Sequence, residues 1–357
     1  MRGSDSDLDS QKGMDARAAA RGLDAARAFV IRCGCTDNLG GKDIRGFPVA
    51  CTFAKAACTR KAGGRYDRIV MGSGDSNVDN DSLVGKVALI TGAGRGIGRA
   101  EAIRLSRRGI IVVVNDLGVA VDGTGTDTSP AQSVVSQIEA EGGRAIVDHT
   151  DVGSLAGGEE VVRKTVSELG RIDILINNAG FVPAPGDVER PIETDVDAQL
   201  DIHFKAALGT ISAAIPWMKN QRFGRIINTV SEVALDSRYG GGTYAYAAAK
   251  AALWSLTLSM SSDFVDEGIT VNAISPGAAT RMNATYLDPS RTDLAPDHVA
   301  QVVEYLICPS AGDLSGRVIH VAGDQLREFM VRRTADSGAV RRIELFRQSD
   351  ESVTDEA

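Results

Sequence analysis

The sequence predicts an α/β chain built on a doubly wound parallel sheet. Three observations predict it: short unbroken apolar runs recur, helical stretches separate them, and the first run ends in closely spaced glycines. A strand buried on both faces reads as a continuous apolar run rather than an alternating one. Strands that alternate with helices form βαβ units, and those strands lie parallel.

The strands in order are KVALIT (86–91), IIVVVND (110–116), AIVD (145–148), IDILIN (172–177), RIINTV (225–230), ITVNAI (269–274) and RVIHVAG (317–323). Helical stretches fall at 96–108, 130–141, 157–169, 194–219, 243–266 and 297–307. Ser129-Pro130 is a good helix start and Gly142-Gly143 a good stop.

Composition separates this region from what precedes it. The chain of 357 residues has 43% hydrophobic and 24% charged residues and a net charge of −8. Residues 1–70 are basic, +5, and residues 71–357 acidic, −13. An acidic main body argues against nucleic acid as a partner. No run approaches the roughly 18 apolar residues of a membrane span. Residues 1–82 lack Glu and end in the polar stretch MGSGDSNVDNDS (71–82). They are expected to form a disordered or loosely packed extension and linker, with an Arg-rich targeting leader as the alternative and Met71 a candidate true start. Residues 83–330 then form one catalytic domain and 331–357 a tail.

Cys33, Cys35, Cys51 and Cys58 crowd into the extension, leaving Cys308 alone beyond it. The spacing matches no standard zinc pattern, so no metal site is expected, and unpaired thiols are preferred over a disulfide or metal role. So few cysteines in the main body suit a reducing, cytoplasmic setting.

The first strand runs into TGAGRGIG, with Gly92, Gly94, Gly96 and Gly98, and then a helix. Glycines there let the backbone approach a pyrophosphate, which a helix N-terminus attracts through its free N–H groups. This is the context that a dinucleotide-binding Rossmann fold requires. Asp116, about 20 residues on, suits the adenosine ribose hydroxyls and repels a 2′-phosphate. Arg95 pulls the other way, since a base in the loop would neutralise that phosphate. The acid lies nearer the 2′ position, so NAD is expected rather than NADP.

The segment YAYAAAK (244–250) holds two tyrosines and a lysine. At about 100° per residue, Tyr246 and Lys250 lie about 40° apart on one helix face, and Tyr244 and Lys250 about 240° apart. Only Tyr246 shares a site with Lys250. An ammonium about 4 Å from a phenol favours phenolate by at most roughly 4 kcal/mol at an effective dielectric near 20. That is about three pKa units, enough for acid–base work near neutrality.

In order, TGAGRGIG (91–98), NNAG (177–180), Ser231, Tyr246-x-x-x-Lys250 and SPG (275–277) resemble the short-chain dehydrogenase/reductase family over residues 84–325. The glycine spacing resembles its single-domain branch. VNDLG (114–118), DIHFKAALGT (201–210), AISPGAATRM (273–282) and VIHVAGDQL (318–326) resemble the hydroxyacyl-CoA and hydroxysteroid dehydrogenases.

The resemblance implies an NAD-dependent oxidoreductase that interconverts a secondary alcohol and a ketone. Tyr246 would be the general acid/base, Lys250 would lower its pKa and hold the nicotinamide ribose, and Ser231 would orient the carbonyl oxygen. The family's usual serine–tyrosine spacing would select Tyr244, so Tyr246 implies a two-residue insertion in EVALDSRYGGGT. Cofactor contacts would come from Gly92, Arg95, Gly96, Ile97 and Gly98, from Asp151 and Val152 at the adenine, and from Asn178, Ala179 and Gly180 beneath the ribose. Pro276, Gly277 and Thr280 would cover the nicotinamide amide. Asn177 and Asn178 have a structural alternative, tying strands together, and Pro276 another, ending a strand.

His203 stands where the family most often has asparagine. It would hold a water linking Lys250 to solvent; the alternative is a buried neutral histidine that bonds a backbone carbonyl and keeps a helix kink. The loop 278–295 is expected to close over an apolar substrate lined by Met282, Tyr286, Leu287, Val233 and Phe181. The resemblance also implies a homo-oligomer, a tetramer paired through helices 194–219 and 243–266. Two other functions stand beside this one: a 3-oxoacyl (acyl carrier protein or CoA) reductase, and a non-catalytic dinucleotide-binding member of the fold.

Overall fold

The computed structural model describes residues 82–330 apart from 122, 183–185, 240, 285, 286 and 289. The expected extension with its four cysteines, the tail, and Tyr286 lie outside the described residues.

Seven strands follow the apolar runs: β1 (Val87–Thr91), β2 (Ile111–Asn115), β3 (Arg144–Asp148), β4 (Ile174–Asn177), β5 (Gly224–Thr229), β6 (Ile269–Pro276) and β7 (Val318–Ala322). They are joined in order 3-2-1-4-5-6-7, and every neighbouring pair among them is parallel. The chain reverses its direction of travel across the sheet between β1 and β4. That switch point opens a crevice beyond the carboxyl ends of the strands, where ligands of such sheets bind.

Alternate residues of one strand enter different cores, which is why the runs are unbroken. Ala88 and Ile90 join Val112, Val114, Ile174 and Ile176 beneath one helical layer. Val87 and Leu89 join Val113, Leu175, Ile226 and Val271 beneath the other. The first layer holds α1 (Gly96–Ser106), α2 (Ser129–Ala140) and α7 (Pro296–Ile307). The second holds α3 (Leu155–Leu169) and α5 (Ala206–Gln221). Removing an Ile or Leu side chain from water contributes roughly 1.5–3 kcal/mol.

Local chemistry sets the helix ends. Pro130 and Pro296 open α2 and α7. The Ser154 side chain accepts the Gly157 N–H at the start of α3, and Gly170, at φ 74°, ends it. Helix α6 (Tyr244–Met260) buries Tyr246, Ala249, Lys250, Leu253 and Thr257, a single helical stripe.

Two features depart from expectation. The helix expected over 194–219 is α4 (Glu193–Leu200), a π-helical turn (Asp201–Lys205) and α5 in succession. The turn carries His203, and such π-bulges cluster at functional sites. An eighth strand, β8 (Gln325–Phe329), pairs antiparallel with β7. Its residues are mostly exposed and mixed in polarity, so no apolar run announces it; backbone pairing with β7 makes it a strand.

Candidate active site

The glycine turn links β1 to α1 and bends through Gly92 and Gly96, at φ 66° and 55°. A Cβ on Gly98 would collide with the Gly92 carbonyl oxygen, so the loop closes only with glycine there. No side chain caps α1 at Arg95, which leaves its first N–H groups to an anion. Ile97 packs on the core beneath. Asp116 binds the loop itself: Oδ2 accepts from the Gly94 N–H at 2.7 Å and Oδ1 from the Gly118 N–H at 2.7 Å.

The far wall comes from β4. Asn178 Nδ2 donates to the carbonyls of Thr91 (3.0 Å) and Gly92 (3.1 Å), and the Ala179 N–H to Thr91 Oγ1. Asn177 donates to Asn228 and accepts from Thr210. Both asparagines therefore tie strands and turn together. Asp151 is exposed and accepts from the Gly153 N–H. Val152 is buried.

At the end of β5 and the start of α6 the polar groups converge. Lys250 Nζ donates to the Thr229 carbonyl at 2.6 Å, and the ammonium lies 5.7 Å from the centre of the Tyr246 ring. Ser231, just past β5, hydrogen-bonds the Tyr246 phenol. Tyr246 is 8% exposed, whereas Tyr244 is 51% exposed and turned away. Tyr246, which the helical-face reading selects against the family's usual spacing, is thus the tyrosine that lies beside Lys250.

Burial governs the charges. It raises the Tyr246 phenol above its ordinary value, against the Ser231 hydrogen bond, and pushes Lys250 down to about 7. The expectation that the Lys250 ammonium alone lowers the phenol omitted this desolvation, which acts on both partners. Burial, then the Lys250 charge, hold His203 well below the usual imidazole range, so it is neutral. Its Nε2–H donates to the Phe181 carbonyl at 3.0 Å, leaving Nδ1 as a buried acceptor without a partner. His203 therefore has the backbone bond and the helix irregularity of the structural alternative, and also a bare nitrogen. A small cavity, on the scale of one water, is lined by Thr91, Asn177, His203, Thr210 and Lys250.

The loop 278–295, expected to form the lid, begins at the end of β6. Pro276 closes the pairing with β7, and the Gly277 N–H donates to Val321. Thr280 caps a short turn over Arg281–Asn283 and lies against the glycine turn, where a Cβ on Gly96 would stand 3.4 Å from Thr280 Cγ2. The Ala279 N–H donates to Leu294, drawing the two ends of the lid together. Met282 is exposed; Phe181, Val233 and Leu287 are half-buried.

Sequence reasoning missed three contributors. Glu232, next to Ser231, sits 3.4 Å from His320 on β7 and 3.8 Å from Arg327 on β8. Arg281 donates to Val119 at 2.8 Å, reaching from the lid to the loop after β2. Asp127 pairs with Arg95 at 3.1 Å. Only Asp127 had a local signal, its place just before the Ser129-Pro130 helix start.

No group of three or more His, Cys, Asp or Glu able to hold a metal occurs among the described residues. No described helix is long and apolar enough to cross a membrane.

Comparison with known proteins bears on this geometry. Residues 86–290 match the family model described as short chain dehydrogenase. Over 271 residues the chain is 33% identical to a peroxisomal hydratase-dehydrogenase-epimerase of Neurospora crassa, a match that takes in 76% of this chain and 29% of that protein. It is 35% identical over 267 residues to a hydroxyacyl-CoA dehydrogenase of Mycobacterium tuberculosis, covering 68% of this chain and 79% of that one. A short chain dehydrogenase from Mycobacterium avium, known as a crystal structure, superimposes with a TM-score of 0.62 at 35% identity, over 73% of this chain and 91% of that one. The matched region spans less than half the length of the peroxisomal multifunctional relatives.

Proposed function

This chain belongs to the short-chain dehydrogenase family, and from that premise we propose that it is an NAD-dependent enzyme interconverting a secondary alcohol and a ketone. The observation that carries the reading is the convergence of Ser231, Tyr246 and Lys250 at the ends of β5 and α6.

The residues present fit a dinucleotide. The uncapped start of α1 and the glycine turn offer a pyrophosphate cradle that side chains would fill. Gly92, Arg95, Gly96, Ile97 and Gly98 line it, Asp116 and Asp151 serve the adenosine end, and Gly180, Pro276, Gly277 and Thr280 the nicotinamide end. When bound, the nicotinamide gives or accepts the hydride. Tyr246 exchanges the proton with the substrate oxygen, and Ser231 donates a hydrogen bond that orients it. Lys250, poised near neutrality, replenishes that proton through the cavity it shares with His203, whose bare Nδ1 accepts from a water there.

The substrate we propose is an apolar hydroxyl compound of the hydroxyacyl-CoA or hydroxysteroid class, taken up between Phe181, Val233 and the lid. The name of the Mycobacterium tuberculosis relative, a hydroxyacyl-CoA dehydrogenase, supports that class. A 3-oxoacyl reductase is the second reading, and retention of Ser231, Tyr246 and Lys250 weighs against a non-catalytic role. A homotetramer is proposed, consistent with Trp217 on α5 and Tyr244 on α6 remaining exposed. We place it in the cytoplasm, with the peroxisome of its named relatives as the alternative.

The test is to follow NADH absorbance while the protein meets a panel of 3-hydroxyacyl-CoAs, hydroxysteroids and secondary alcohols. Turnover that vanishes in Tyr246→Phe supports the reading; none across the panel, with NADH still bound, favours the non-catalytic alternative.

A further inference from the structure

The glycine turn carries a cation that ought to welcome a 2′-phosphate, and the structure shows what occupies it. Arg95 Nη2 pairs with Asp127 at 3.1 Å while Nη1 donates to the Val119 carbonyl at 3.3 Å. Asp127 is itself fixed: Oδ1 accepts from the N–H and the hydroxyl of Ser129, at 2.9 and 2.7 Å, and its N–H donates to Leu117. These bonds, the Ser129 hydroxyl foremost, hold the Asp127 carboxyl below its usual range. The pair is joined to the ribose acid through the turn, because the Gly94 N–H beside Arg95 donates to Asp116.

We propose that Asp127 determines cofactor choice, by holding the Arg95 guanidinium and withdrawing it from a cofactor 2′-phosphate. The inference rests on the reading of this crevice as an NAD site. An isolated exposed ion pair contributes little, and a free arginine would readily turn to a phosphate, which it can meet with two parallel hydrogen bonds. Here both partners are held by further hydrogen bonds, so turning Arg95 to a phosphate breaks the Asp127 pair and disturbs a guanidinium that Val119 also holds. Arg281 is a second cation nearby. It feels both Arg95 and Asp116 and is bonded to the same Val119 carbonyl from the lid, so a test must separate the two arginines.

The test measures dissociation constants of NADH and NADPH by cofactor fluorescence, without substrate, for wild type, Asp127→Asn, Arg95→Ala and the double variant. Asparagine keeps an oxygen for Ser129 and loses the charge; Asp127→Ser, still able to open the helix, is the second variant should Asp127→Asn fold poorly. Either should shift the NADPH/NADH preference about tenfold toward NADPH, and the shift should shrink as salt rises from about 0.02 to 0.5 M, because exposed charges are screened. The shift should disappear when Arg95 is also replaced. An unchanged ratio, a shift that survives without Arg95, or one indifferent to salt overturns the proposal. Wild type that binds NADPH as well as NADH would instead sink the NAD reading beneath it, and the two failures are distinguishable.

Discussion

The imidazole of His203 stands edge-on to the ring of Tyr246, with 5.2 Å between centroids and planes crossing at 81°. Gly180 lies against that imidazole as well: a Cβ there would overlap Cε1 and stand 2.7 Å from Nδ1. A residue from the turn after β4, one from the π-helical turn and one from α6 thus form a stack in which each fixes the next.

Gly180→Ala should therefore act on chemistry through His203. The added methyl must push the ring toward Tyr246 or break its bond to Phe181, at a cost of about 1–3 kcal/mol. The expected outcome is a several-degree fall in Tm and at least a tenfold lower kcat. Wild-type kcat in a folded Gly180→Ala would show that the ring position does not matter.

Tyr246→Phe should retain NADH binding and lose activity by about a hundredfold or more, as expected when a general acid/base is removed. Tyr244→Phe, altering an exposed side chain, should retain most of it. Steady-state rates and NADH titrations of both decide the matter, and exchanged results would sink the helical-face argument.

If the bare Nδ1 holds a water for Lys250, His203→Ala should lower kcat far more than NADH affinity. His203→Asn, which keeps an acceptor, should restore much of the loss. Because His203 is held neutral well below its usual range, wild type and His203→Asn should have closely similar pH–rate profiles above pH 6. A rate in His203→Ala equal to wild type would leave His203 a purely structural role.

Glu101 on α1 is fully buried, with both carboxylate oxygens unpartnered, and burial pushes its pKa up to about 8. The folded state keeps its proton while the unfolded state loses it near pH 4.5. Stability should therefore fall as pH rises from about 4.5 to 8 and level off beyond, by a few kcal/mol on the order of 1.4 per unit. Glu101→Met removes the penalty. Its gain in Tm should be smallest near pH 5 and largest at pH 8 to 9; a gain independent of pH would contradict the linkage.

Much of this was legible in the sequence because it depends on neighbours along the chain. Seven strands announced themselves as apolar runs, since burial on both faces leaves no polar alternation to hide them. The glycine turn and Tyr246–Lys250 are local as well, fixed by turn chemistry and by four residues of helical rise. Folding was needed to decide the rest. Strand β8 exists only because β7 offers a free edge, and its exposed residues carry no periodic signal. Lys250 is brought down to about 7 and the Tyr246 phenol up by desolvation from segments distant in sequence. His203 was singled out by its place in a motif, but its bond to Phe181, 22 residues away, and its contact with Gly180 come from the way β4 and the π-helical turn meet. Arg95 could be read as a cation from the sequence; only the fold, by carrying Asp127 to it across 32 residues, determined what that cation faces.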